Sequence, residues 1–136
     1  MLDSTDLRII EELSKNSRMT MKELGEKVHL TGQAASSRVA KLEDNGVIEA
    51  YTIHVNEVKL GWSVHAFMNI YTKSPFHEPF LAFLDTQQQF IVNNFKISGE
   101  GCFLLECRFP TNEILDQFLV DLNKHANYKL SIVISK

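Results

Sequence analysis

Residues 20–46 read TMKELGEKVHLTGQAASSRVAKLEDNG, and the spacing within them decides the fold of the N-terminal third. Thr20 and Glu23 form a capping-box pattern: a hydroxyl that accepts from an early helix amide, and an acid three residues on that reaches back to the Thr20 amide. The helix they announce turns Leu24 and Val28 inward, pairs Met19 with Leu24 as a hydrophobic staple, and stops near His29. Thr31 then caps a run from Gln33 to Asp44 in which Ala35, Val39 and Leu42 recur at i, i+4 and i+7. Asn45-Gly46 ends that run by supplying a left-handed residue. Only three or four residues separate the two helices, a gap typical of a helix-turn-helix.

Working outward, residues 4–15 predict a first helix, with Asp3 as its cap, Asp6 as the acid at its positive end, and Leu7, Ile10 and Leu13 at helical spacing. Leu2 and Leu7 would staple its start. Tyr51 to Val55 alternates weakly and predicts a strand, and Lys59-Leu60-Gly61 a joint. From Trp62 the expected order is strand 63–72, helix 76–86, strand 90–97, a turn at Gly99 to Gly101, strand 102–109, helix 112–125 and strand 129–135. One helix carries Phe76, Phe80, Phe83 and Leu84 as its apolar stripe, and the other Ile114, Leu115, Phe118, Leu119 and Leu122. A βαββαβ order with right-handed crossovers puts both helices on one side of a four-stranded antiparallel sheet, the ferredoxin-like arrangement. The chain is thus α+β: a helix-turn-helix domain over 1–50, a linking strand and hinge over 51–61, and a sheet domain over 62–136.

The strands are apolar on both faces. Val64, Ala66, Met68 and Ile70 oppose Phe67 and Tyr71, while Phe103, Leu105, Cys107 and Phe109 oppose Leu104. Helices cover only one face, so a homodimer through the sheet is expected, with assembly of dimers beyond it.

Composition narrows the class. A chain of 136 residues, 44% hydrophobic and 23% charged with net charge −3, can bury a core. Six Gly, three Pro and two Cys exclude collagen-like, disordered and disulfide-scaffold compositions. No apolar stretch approaches the roughly 18 residues of a membrane span, and the first residues carry acids where a leader carries bases, so a cytoplasmic protein that does not engage membrane is expected. Cys102 and Cys107 stand five apart on a strand, hence on opposite faces, and are expected as unpaired thiols.

Enzyme signatures are missing: there is no H-E-x-x-H, G-x-S-x-G or phosphate-loop pattern, and Gly99-Glu100-Gly101 lacks the third glycine of a dinucleotide fingerprint. The five histidines show no ligand spacing, so neither metal nor cofactor is expected.

The helix after Thr31 is the chemically informative segment. With Ala35, Val39 and Leu42 inward, Gln33, Ser37 and Ala40 face away, Ser36 and Lys41 flank them, and Arg38 sits near the buried edge. Gln can bond adenine N6 and N7 together, Ser serves as donor or acceptor, and Ala meets a thymine methyl. Gln33, Ser36 and Ser37 are therefore candidates for base edges in double-stranded DNA, with Thr31 at the head of the same helix and Arg38, Lys41 and Lys22 for phosphates. Residues 1–50 carry seven bases against nine acids, net −2, so one head alone binds DNA weakly and several heads on one assembly are expected.

The ordered set Asp3, Asp6-Leu7-Arg8-Ile9-Ile10, Asn16-Ser17-Arg18, Glu23-Leu24-Gly25, Val28-His29-Leu30-Thr31, Arg38-Val39, Leu42 through Ile48, Tyr51-Thr52 and Lys59-Leu60-Gly61 resembles the Lrp/AsnC (leucine-responsive and asparagine-synthetase-regulator) family of prokaryotic transcription regulators over essentially the whole chain. The resemblance implies an N-terminal winged helix-turn-helix that binds DNA through Gln33 to Asp44, and a ferredoxin-like domain that dimerises and assembles into rings of dimers. It also implies an amino-acid effector where dimers meet, with the family's G-D-x-D pattern falling on Gly99, Glu100, Gly101 and Cys102. Here Glu100 keeps an acid one carbon longer, while Cys102 removes a negative charge that would receive an ammonium group. Two rival expectations share the fold: an architectural, nucleoid-type DNA-wrapping protein with no ligand response, and a sirohaem-decarboxylase-like enzyme.

Overall fold

The computed structural model describes residues 1–136, which divide into two compact units, Met1–His54 and Val55–Lys136. The division falls inside the stretch expected to link the domains. Unit one contains α1 (Ser4–Lys15), α2 (Met21–Val28) and α3 (Gly32–Asp44). Each starts where a side chain meets orphan amides. Asp3 accepts the Asp6 amide at 2.8 Å while Asp6 accepts the Asp3 amide at 3.2 Å, a reciprocal box. Thr20 accepts the Glu23 amide at 3.1 Å, but Glu23 reaches back to the Thr20 hydroxyl rather than to its amide. Gly46, at φ 73°, closes α3 as expected.

Ile9, Leu13, Met19, Leu24, Val28, Ala35, Val39 and Leu42 form one apolar core under these helices. Leu7 departs from its expected inward position: Ile9 and Leu13, at i and i+4, define the buried stripe, and Leu7 and Leu2 are exposed. Tyr51–Val55, expected as a strand, forms none and is not part of the four-stranded sheet.

Unit two begins with a 3₁₀ turn at Val58–Leu60 that closes on Gly61 at φ 95°, so Lys59-Leu60-Gly61, expected as a joint between the domains, is a turn inside this unit. It continues through β1 (Val64–Thr72), α4 (Glu78–Asp85), β2 (Ile91–Lys96), β3 (Phe103–Phe109), α5 (Asn112–Leu122) and β4 (Ala126–Ile132). The strands lie in the order β2-β3-β1-β4, every neighbour antiparallel, as the βαββαβ pattern required. Val64, Ala66, Met68 and Ile70 of β1 pair with Phe109, Cys107, Leu105 and Phe103 of β3 on a single buried face. Phe80, Phe83 and Leu84 of α4 and Leu115, Phe118 and Leu122 of α5 complete that core. Phe118 meets both Phe109 and Phe83, with ring centroids 5.1 and 5.4 Å apart, so both helices share one side of the sheet.

Three expectations shift here. Phe76 is exposed, since α4 starts only at Glu78 with Pro79 in its first turn. α5 ends at Leu122 rather than residue 125, and β4 starts three residues early, at Ala126.

The outer sheet face mixes half-buried Phe67 and Leu104 and exposed Phe95 with a polar network. Glu106 accepts from Asn93 at 2.9 Å and meets His65 at 2.6 Å. Burial alone would raise its carboxyl, yet these two bonds hold it below the usual range. Both cysteines are free thiols, and burial pushes that of Cys107 up to about 12.

Candidate nucleic-acid interface

The turn between α2 and α3 is three residues, His29 to Thr31, and its tightness comes from backbone meeting backbone. His29 adopts φ 62°, and the Leu30 amide donates to the Gly25 carbonyl at 2.8 Å. A Cβ at Gly25 would lie 2.5 Å from the Leu30 carbonyl oxygen, so only glycine allows this approach. Gly32 plays the matching part on α3: a Cβ there would stand 3.3 Å from the Lys22 Cα. The first turns of α2 and α3 are therefore in contact, and Lys22 is placed beside the start of α3. Thr31 accepts the Ala34 amide at 3.1 Å, and no acid occupies the first turn of α3 to offset its positive end.

Beyond the cap, Gln33, Ser36, Ser37, Ala40 and Lys41 are exposed, while Ala35, Val39 and Leu42 are buried. The surface of α3 is thus small and polar, with a lysine at its edge, as the sequence indicated. Arg38 differs from expectation. Its Nη1 donates to Asp3 Oδ1 at 2.7 Å and Oδ2 at 2.6 Å, and to Asp6 Oδ1 at 3.2 Å. The guanidinium expected to meet phosphate is held by the carboxylates of Asp3, the cap of α1, and Asp6 in its first turn. Nothing in the local sequence signals this, since the partners lie 35 and 32 residues away.

The proposed effector turn sits in the other unit. Gly99 and Gly101 both have positive φ, and a Cβ on Gly101 would lie 2.6 Å from the Ile70 carbonyl oxygen. The Cys102 amide donates to that oxygen at 2.7 Å, which binds the turn to the end of β1. Asn69 donates to the Glu100 carbonyl at 2.8 Å and the Tyr71 hydroxyl to the Glu100 carboxylate at 2.9 Å. Cys102 is half-buried, its sulfur 3.6 Å from the Thr72 hydroxyl; hydrogen bonding from Thr72, helped by Lys96, lowers its thiol pKa. Asn69, Tyr71 and Thr72 are contacts of this turn that sequence reasoning missed, because pairing of β1 with β3 alone brings them there.

No group of His, Cys, Asp or Glu side chains is arranged to hold a metal ion, and no helix is long and apolar enough to cross a membrane.

A family model described as winged helix-turn-helix DNA-binding matches residues 2–49, the unit built on α1 to α3. These features define a winged helix-turn-helix unit. The chain is 64% identical over 136 residues to the HTH-type transcriptional regulator LrpA of Bacillus subtilis, covering all of both chains. It superimposes on the structure of Bacillus subtilis LrpC with a TM-score of 0.91 at 32% identity, covering 100% of this chain and 96% of that one. A transcriptional regulator of Neisseria meningitidis, solved as its complex with L-methionine, gives a TM-score of 0.90 at 26% identity, with 100% and 92% covered. The chain belongs to the Lrp/AsnC family of transcriptional regulators.

Proposed function

We propose that this regulator reads DNA sequence through the exposed face of α3 and acts as a dimer or an assembly of dimers. The observation that carries the reading is the presentation of Gln33, Ser36 and Ser37 on one solvent face of a helix capped by Thr31, with Lys41 and Lys22 beside it. Gln33, Ser36 and Ser37 take base edges in the major groove; Lys22, Lys41 and Thr31 take the backbone. Assembly is supported by the uncovered apolar residues of the outer sheet face, Phe67, Phe95 and Leu104. Tyr51, Ile53 and Val55, exposed at alternate positions of a segment with no strand partner, add to that support. The methionine complex of the Neisseria relative supports an amino-acid-like effector, and Gly99, Glu100, Gly101 and Cys102 are the proposed contacts, Glu100 supplying the acid.

The test compares two duplexes, one selected by the chain from a random-sequence pool and one shuffled from it. Gln33→Ala is expected to cost about 1–3 kcal/mol on the selected duplex and little on the shuffled one. Lys41→Ala is expected to weaken both alike and to reduce the salt slope by about one. Unchanged discrimination in Gln33→Ala would contradict the assignment of α3.

A further inference from the structure

Arg38 is the residue whose geometry departs most from what its helix face suggested. On a helical wheel the buried stripe of α3 is centred between Ala35, Val39 and Leu42, and Arg38 falls about 60–70° to one side of that centre. An apolar stripe with alanine at its middle resists separation of two helices well but resists rolling of the cylinder poorly, since a small side chain presents little to interlock. A tether attached to the flank does resist roll. Arg38 is such a tether, and it is made from groups already in use: Asp3 Oδ1 accepts both the Asp6 amide at 2.8 Å and Arg38 Nη1 at 2.7 Å. The box that starts α1 therefore also fixes the angle of α3.

We infer that Arg38 is a positioning residue for DNA reading, setting the roll of α3 through Asp3 and Asp6 instead of contacting phosphate. This rests on the proposal that α3 reads DNA. Its consequence is geometric. A side-chain tip about 6 Å from the helix axis moves about 2 Å for a roll of 20°, enough to break a base contact that tolerates a few tenths of an ångström. Phosphate contacts by long lysines survive such a roll. Loss of the tether thus removes discrimination between sequences before it removes affinity for DNA as such. The tether also neutralises one cation per head, so Arg38 adds nothing to the counterions released on binding.

The experiment uses the full chain, the same selected and shuffled duplexes, and the isosteric pair Asp3→Asn with Asp6→Asn. Asn is as good a cap as Asp, so α1 keeps its start while the carboxylates are lost, and circular dichroism confirms the fold. Arg38→Ala, the triple variant and Gln33→Ala complete the set. The expected result is a fall of about tenfold in the selected-to-shuffled affinity ratio for the Asn pair and for Arg38→Ala, with no further fall in the triple variant and an unchanged salt slope in Arg38→Ala. If Arg38 contacts phosphate instead, the ratio holds in the Asn pair and Arg38→Ala lowers the salt slope by about one. That result, or an unchanged ratio in every tether variant, overturns the inference. A ratio unmoved by Gln33→Ala while the tether variants lower it would instead locate the failure in the α3 reading.

Discussion

Leu42→Ala is expected to unfold the DNA-binding unit and leave the sheet unit standing. Leu42 is 2% exposed in the helical core, a cluster of only eight buried residues that also holds Ile9, Leu24 and Val39. Truncating such a leucine costs about 2–5 kcal/mol, through lost transfer energy plus the cavity left behind. Total stability at about 0.05–0.15 kcal/mol per residue gives a unit of 54 residues roughly 3–8 kcal/mol, so the deletion removes much or all of it. The sheet unit has a separate core and holds the only tryptophan, Trp62, which supplies a local reporter. Far-UV ellipticity should drop and DNA binding vanish, while Trp62 fluorescence keeps its native emission. Loss of both signals together would show that the two cores do not fold as separate units.

The second large effect is expected from Gly25→Ala. In an isolated helix this change is favourable by about 1 kcal/mol. Here the new methyl would lie 2.5 Å from the Leu30 carbonyl oxygen, which is backbone and cannot rotate aside. The turn must open, breaking the Leu30-to-Gly25 hydrogen bond and shifting α3 away from α2. A net loss of about 1–3 kcal/mol is expected, lowering the melting temperature of the unit by about 4–8 °C for each kcal/mol. Gly46→Asn is the control: its φ of 73° is one that Asn tolerates, and nothing lies within 4 Å of the added Cβ. A melting temperature raised by Gly25→Ala would mean that the turn is looser than its distances indicate.

Much of this architecture is written locally. Asp3, Thr20 and Thr31 mark three helix starts because a cap is a contact between residues three apart, and the inward spacing of Ala35, Val39 and Leu42 exposes Gln33 and Ser37 automatically. Other features depend on partners distant in the chain. Ala126 and Asn127 have low strand propensity, yet they join β4 because Thr72 and Tyr71 offer a ladder. Tyr51–Val55 has the alternation of a strand and no ladder to join. Arg38 looks like a free cation until the fold brings Asp3 to it, and Glu100 looks like a bare acid until Tyr71 reaches it across the sheet. Short-range chemistry was legible at α3, whereas the commitments of its charged groups required the tertiary structure.

That helix can be interrogated through a single thiol. In a Cys102→Ser background the remaining Cys107 is buried and its thiol is pushed up to about 12, so it stays silent toward maleimide. Ser37→Cys then places one reactive sulfur on the exposed face of α3, and Glu113→Cys places a reference on α5. Saturation with the selected duplex is predicted to suppress labelling at position 37 and leave position 113 unaffected. Equal labelling at position 37 with and without bound DNA would contradict the claim that this face of α3 enters the groove.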